Sequence, residues 1–287
     1  MAVMATPYMG RIGVLLQKGA ISMTTDEFGN GTVLTDIHDG IGLITLNRPE
    51  VRNALSSDVL EALPTAIRSL EASSDVDVLV LTGRDPAFCA GLDLRELGDS
   101  GGNIDPDSQS EPKQPFPERS KPLIGAVNGV AVTGGLELAL GCDFLIASDR
   151  ASFADTHARV GVMPGWGLSV LLPQAIGVRR AREMSLTGNY IDASTAEKWG
   201  LVNRVVPHEA LLETVHALAS DIRSNDQVGV RQMLETYSRT AETTVADGWR
   251  IEASMGTEWL KNSDFRPEKV AQRRVDIQNR GRAQQNP

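Results

Sequence analysis

The alternation of apolar and polar positions divides the chain into a strand-rich first part and a helix-rich last third. Thr32 to His38 and Ile41 to Asn47 are β-branched, partly alternating runs joined by Asp39-Gly40, which predicts a two-residue hairpin. Asn47-Arg48-Pro49-Glu50 breaks the strand, and Ser56 can cap a helix with Val59, Leu60, Leu63, Ile67 and Leu70 at helical spacing. Pro64 inside that helix predicts a kink, since an interior proline costs roughly 3 kcal/mol. Asp77 to Thr82 is nearly all apolar, as expected of a strand covered on both faces. Leu123 to Asn128, Asp143 to Ser148 and Ala151 to Ala154 resume strand character. The order strand, turn, helix recurs with strand pairs ahead of helices, without a fixed-period repeat.

After Leu168 amphipathic helical patterns run through Leu168–Ile176, Arg179–Leu186, Ala193–Trp199, Glu209–Arg223, Val228–Arg239, Ala241–Lys261 and Arg266–Arg280. Some of these helices must bury their apolar sides against another element, a neighbouring subunit being one. Between Gly98 and Arg119 the composition turns to Gly, Asp, Ser, Pro and Gln, which reads as a flexible flap between two glycine-rich turns. Residues 1 to 25 hold no Asp or Glu and only a short apolar patch around Ile12 to Leu16, too weak for a secretory signal. An acid-poor, basic organelle leader is one reading of them. The preferred one is a flexible extension over residues 1–30, with MTTDEF from Met23 reading like a natural start.

A chain of 287 residues with 41% hydrophobic and 23% charged residues is long enough for a full core and ordinary for a soluble globular protein. Its net charge of -9 argues against a nucleic-acid surface, and the arginines at 273, 274, 280 and 282 read as a solvated helix face. Cys89 and Cys142, each among small or apolar neighbours, read as buried thiols of a reducing, cytoplasmic compartment. The histidines at 38, 157, 208 and 216 show no metal-ligand spacing, and no apolar run approaches the roughly 18 residues of a membrane span.

The chemistry concentrates in Val127 to Phe144, VNGVAVTGGLELALGCDF. A strand, a small-residue turn and a helix apolar on nearly every side are interrupted by Glu137, and a carboxylate is almost never fully buried unless paired, hydrogen-bonded or kept for chemistry. Thr133-Gly134-Gly135 lets the backbone approach a ligand closely and aim free N–H groups at an anion. Ala87 to Leu94, AFCAGLDL, is a second turn of this kind after the buried strand. One N–H from each would make an oxyanion hole of backbone alone.

LNRPEVRNALS (Leu46–Ser56), FCAGLDL (Phe88–Leu94), NGVAVTGGLELALGCDF (Asn128–Phe144) and ASFADTHARVGVMPGWG (Ala151–Gly167), in this order, resemble the crotonase superfamily, the enoyl-CoA hydratases and isomerases. The resemblance runs from about Thr32 to the C-terminus. It implies an α/β fold, a crotonase-like spiral of ββα turns over residues 31–200 with a C-terminal helical trimerisation region over 201–287. It also implies acyl-CoA thioester substrates, CoA entering only as part of the substrate, and homotrimers or dimers of trimers. Matched motif by motif, the oxyanion donors are the N–H groups of Leu92 and Gly134, and Glu137 is the first catalytic glutamate. Arg52, Ala54, Ala90 and Asp93 fall where the family wraps the adenine and phosphates of CoA, and Val270 and Arg273 where a C-terminal helix helps close that pocket.

One position departs from the family. Hydratases carry a second glutamate ahead of the Pro-Gly turn, and aligning Phe153 and Pro164 with that segment puts His157 there. Beside Glu137, a protonated imidazole is favoured, and the two titrate as a pair. Asp155 is the alternative second acid if the loop is turned, and Trp166 is expected to line the acyl pocket. The expected activity is hydration of 2-enoyl-CoA, with Glu137 as general base and His157 as proton donor to Cα. The alternatives are a 3-enoyl to 2-enoyl-CoA isomerase, another specialised CoA lyase, and an acyl-CoA-binding protein without turnover.

Overall fold

The structure, a computed structural model, describes residues 25–100, 114–262 and 267–285. The expected flap therefore lies largely outside the described residues, as do residues 1–24 of the expected extension. Thr25–Phe28, also within that extension, instead forms β1, an edge strand antiparallel to β2 (Val33–His38). β2 turns into β3 (Ile41–Leu46) through Asp39 and Gly40, whose φ values of 46° and 68° are those of the predicted hairpin. α1 (Ser57–Ala72) runs without a break through Pro64. Three strand pairs follow, each leading into a helix. They are β4 (Val78–Gly83) and β5 (Ala87–Cys89) before α2 (Leu94–Ser100), β6 (Leu123–Val127) and β7 (Val130–Val132) before α3 (Gly134–Leu140), and β8 (Phe144–Ser148) and β9 (Ser152–Ala154) before α4 (His157–Val160). α5 (Leu168–Ile176), α6 (Val178–Thr187), β10 (Ile191–Asp192), α7 (Ala193–Trp199), β11 (Arg204–Val206) and α8 (Leu211–Arg223) complete the larger unit.

Among the described residues the first strand of each pair joins a sheet in the order β1-β2-β3-β4-β6-β8-β11, and the second joins a smaller sheet in the order β10-β9-β7-β5. Each turn of the spiral thus adds one parallel strand to each sheet, the α/β arrangement expected. The large sheet is covered on both sides, which explains its apolar runs. Leu79, Leu81, Leu123 and Val127 face the main core with α1 and α3, while Val78, Val80, Ile124 and Ala126 pack with Leu211, Val215 and Ala219 of α8.

That second layer moves the boundary expected at residue 200. β11 pairs in parallel with β8 and α8 caps the sheet, so the compact unit continues to Gln227. Residues 228–287 form a second unit, in which α9 (Gln227–Ala241), α10 (Val245–Asn262) and α11 (Pro267–Gln285) account for most of the chain.

A buried lysine secures the first helix. Lys121 is only 2% exposed, and its Nζ donates to the carbonyls of Leu70 and Ser73 at the end of α1, at 2.8 and 2.7 Å. These are acceptors that a helix C-terminus leaves short of partners, at the negative end of its dipole. Lys121→Met keeps the apolar stem and removes the donor, and is expected to cost about 1–3 kcal/mol. Urea unfolding would show this as a lower midpoint at unchanged m, and an unchanged midpoint would refute it.

Candidate active site

Glu137 lies in the first turn of α3 and is 3% exposed. Its Oε1 accepts the Trp166 N–H at 2.8 Å, and its Oε2 lies 3.5 Å from Nε2 of His157. His157 opens α4 and is 5% exposed. Its Nδ1 is 2.6 Å from Oδ1 of Asp155, and the same oxygen accepts the His157 backbone N–H at 3.1 Å. The structure therefore brings Glu137 and His157 together, with Asp155 buried behind the imidazole, so the loop is not turned to offer Asp155 in its place.

The charges follow from this packing. Burial pulls the His157 pKa down, but hydrogen bonds to Asp155 and Glu137 and the charge of both carboxylates outweigh it and raise it to about 9. At neutral pH the ring is an imidazolium. Burial pushes Asp155 up, yet bonds from His157 and Ser185 hold it below the usual carboxylate range.

The two turns approach each other at Gly91 and Gly134. Leu55 N–H donates to Gly91 O at 2.8 Å and Asp93 N–H to Leu55 O at 3.0 Å, a parallel bridge that leaves the Leu92 N–H on the opposite side. Gly91 has φ 86°, and a Cβ there would stand 2.8 Å from Val132 O and 3.4 Å from Gly134 N. A Cβ on Gly135 would stand 2.1 Å from Cys89 O, so α3 starts hard against the end of β5 and only glycine fits. Between strand and helix, Thr133 holds φ 54° and ψ -116°, a region rarely open to a β-branched residue and costing on the order of 1–3 kcal/mol. Its N–H donates to Ala154 O at 3.0 Å, and its hydroxyl bonds that of Thr156.

The four residues matched to CoA binding in the larger unit also gather. Ala90 N–H donates to Arg52 O at 3.0 Å, and Arg48 bridges Ala54 O at 2.6 Å and Asp93 Oδ2 at 3.0 Å. Arg52 is exposed at φ 54°. Burial raises the Asp93 pKa, but the bond from Arg48 leads the effects that hold it below the ordinary value. Val270 and Arg273 lie on α11 in the second unit, where Val270 is half exposed.

Sequence reasoning missed Asn53, which organises this edge. At φ 56° and 1% exposure, it accepts the Arg48 N–H and donates to Arg84 O and Ala87 O at 2.8 and 2.7 Å. An asparagine three residues before a helix cap carries no signal of such reach. Two other clusters involve histidines. His208 joins Ser148 Oγ through Nδ1 at 3.0 Å and Asp85 through Nε2 at 3.1 Å, but Ser148 is fully buried and its oxygen already accepts the Arg150 N–H, so this Ser-His-Asp chain is a strap rather than a nucleophile. The ligand atoms of His38, Asp39 and His216 come within 4.8 Å of one another, a spatial grouping that sequence spacing had not indicated. There His38 pairs with Asp39 at 3.2 Å.

A profile of the enoyl-CoA hydratase/isomerase family matches residues 36–274. The chain belongs to that family. Among its enoyl-CoA hydratase/isomerase relatives, a probable enoyl-CoA hydratase of Rhizobium meliloti is 35% identical over 262 residues, covering 87% of this chain and 98% of the relative. One from Mycobacterium leprae is 39% identical over 219 residues, 76% of this chain and 85% of its own length. The crystal structure of an enoyl-CoA hydratase from Mycobacterium tuberculosis superposes with a TM-score of 0.69 at 48% identity, over 79% of this chain and 98% of that one.

Because folding raises the pKa of His157 from 6.5 to about 9, the imidazolium stabilises the fold fully below about 6.5 and loses that contribution as the pH rises through about 9. The melting temperature of the wild type relative to His157→Gln is therefore expected to fall between pH 7 and 10. A difference constant with pH would refute the assigned charge.

Proposed function

We propose that the chain adds water to 2-enoyl-CoA thioesters, forming 3-hydroxyacyl-CoA. The observation that supports this most directly is the buried pairing of Glu137 with His157 at 3.5 Å beside two converging small-residue turns. The thioester oxygen is held by the N–H groups of Leu92 and Gly134, which stabilise the enolate-like charge as it forms. One such donor is typically worth about 3 kcal/mol of barrier. Glu137 takes a proton from water while the water oxygen bonds to Cβ. The imidazolium Nε2–H of His157 protonates Cα, and transfer of the proton from Glu137 to His157 restores both groups. The turnover is thereby balanced with one water consumed.

Arg52, Ala54, Ala90 and Asp93 hold the CoA portion in this reading, with the Asp93 carboxylate acting through Arg48 and the backbone. Val270 and Arg273 keep the same assignment on motif position. The homotrimeric state, or a dimer of trimers, is supported by the second unit, where Met233, Tyr237 and Trp249 are 61, 70 and 72% exposed. A groove of about 420 Å³ there is lined by Met233, Tyr237, Met255 and Trp259. The cytoplasmic setting is supported by Cys89 and Cys142, both free and buried, with burial pushing the Cys89 pKa up to about 12.

With crotonyl-CoA the wild type is expected to consume the conjugated thioester absorbance and release 3-hydroxybutyryl-CoA. Glu137→Gln should lower kcat by about 10²–10⁴ with a much smaller change in KM. Turnover confined to 3-enoyl-CoA would replace hydration by double-bond migration, and acyl-CoA binding with no turnover of either would reject an enzymatic role.

A further inference from the structure

Asp155 lies outside the chemistry described so far, yet it is 2% exposed, beside one of the two groups that move protons. A single carboxylate oxygen, Oδ1, receives both the His157 ring Nδ1–H at 2.6 Å and the His157 backbone N–H at 3.1 Å. The backbone bond is the local turn that an aspartate makes with the residue two places on, and the ring bond fixes the side-chain rotamer at the same time. The opposite ring nitrogen, Nε2, is then the one facing Glu137. From α6, Ser185 adds to the effects that hold the Asp155 carboxyl below its usual range.

We infer that Asp155 is a positioning residue for the proposed hydration: it binds Nδ1 of His157, leaving Nε2 as the sole ring atom that exchanges protons with the substrate and with Glu137. The inference rests on the reading of His157 as the acid. Where a glutamate would supply its proton from either of two equivalent oxygens, an imidazole has two nitrogens in different places, and only one is useful. A hydrogen-bonded carboxylate on the far nitrogen decides which. The charged groups facing the ring are Glu137 from α3 and Asp155 from the segment before α4, so removal of Asp155 leaves the imidazolium with one counter-charge in place of two.

Asp155→Asn is the test, because it keeps the shape and removes the charge. NMR titration of the His157 ring in the full-length variant is expected to place its midpoint at least 1 pH unit below that of the wild type, from about 9 toward 6.5. The alkaline limb of kcat with crotonyl-CoA should move down by the same amount. At pH 8.5 kcat would fall by about threefold for a one-unit move and by more for a larger one, while near pH 6, where the ring stays protonated, most of it would return. A merely structural loss would be independent of pH. Asp155→Glu, if its longer arm reaches Nδ1, should restore the wild-type limb in part.

An unmoved His157 midpoint in Asp155→Asn overturns the inference. A lowered midpoint with an unmoved kcat profile instead removes His157 from the reaction, so failure of the catalytic reading is told apart from failure of the positioning. Should Asp155→Asn not fold, Ser185→Ala puts the same question more gently. A smaller downward move of the same limb supports the inference, and an identical profile counts against it.

Discussion

The structure depends on keeping one ionisable carboxylate, Glu137, inside an apolar helix. Leu136, Leu138 and Ala139 on either side of it are fully or almost fully buried, so α3 cannot rotate to expose the acid without losing its core contacts. The carboxylate is instead satisfied in place by the Trp166 N–H on one oxygen and by the His157 ring near the other. A second carboxylate in the position of His157 would face Glu137 with like charge. At an effective dielectric of about 20, such a pair a few ångströms apart repels by a few kcal/mol. An imidazolium turns that repulsion into attraction, and Asp155 supplies the further negative charge that keeps the ring protonated. Asp155, His157 and Glu137 thus carry two negative charges and one positive, and each end of the cationic ring faces an acceptor.

Much of this could be read from the residues themselves, because the signals were local. The all-apolar run at β4 implied cover on both faces, and α8 provides the second cover. Asp39-Gly40 implied a hairpin, and both residues have positive φ. Glu137 was conspicuous as one acid among leucines. What was illegible depended on partners distant in sequence or on segments with no pattern. β1 reads TDEF, with three of its four residues exposed, so no alternation marks it as a strand. β11 is only three residues long and is a strand by virtue of its pairing with β8. Glu209 to Arg223 is amphipathic, but its period says nothing about which element its apolar side meets, and a sheet in the same unit takes it up. Asn53 acts through Arg84 and Ala87, more than thirty residues away.

The site itself is a product of strand register. In the small sheet β5, β7 and β9 run parallel, with Cys89 opposite Ala131 and Val132 opposite Ala154, so the three strands end side by side. The residues just past those ends are the ones to which the proposed hydration gives roles: Leu92 after β5, Gly134 and Glu137 after β7, Asp155 and His157 after β9. This is the general position of sites in parallel sheets, where functional groups come from loops at the carboxyl ends of neighbouring strands. The strain at Thr133 belongs to the same construction. Its N–H continues the β7 to β9 contact to Ala154 O, while the next residue must already begin α3 against Cys89. The chain has one residue in which to turn from ladder to helix, and the bonds from Thr133 to Ala154 and Thr156 hold that turn. Relaxing Thr133 would shift the start of α3, and with it both the Gly134 N–H and the Glu137 carboxylate relative to His157. The strained residue and the buried ionic chain therefore impose one geometric condition between them: the ends of β7 and β9 must stay level.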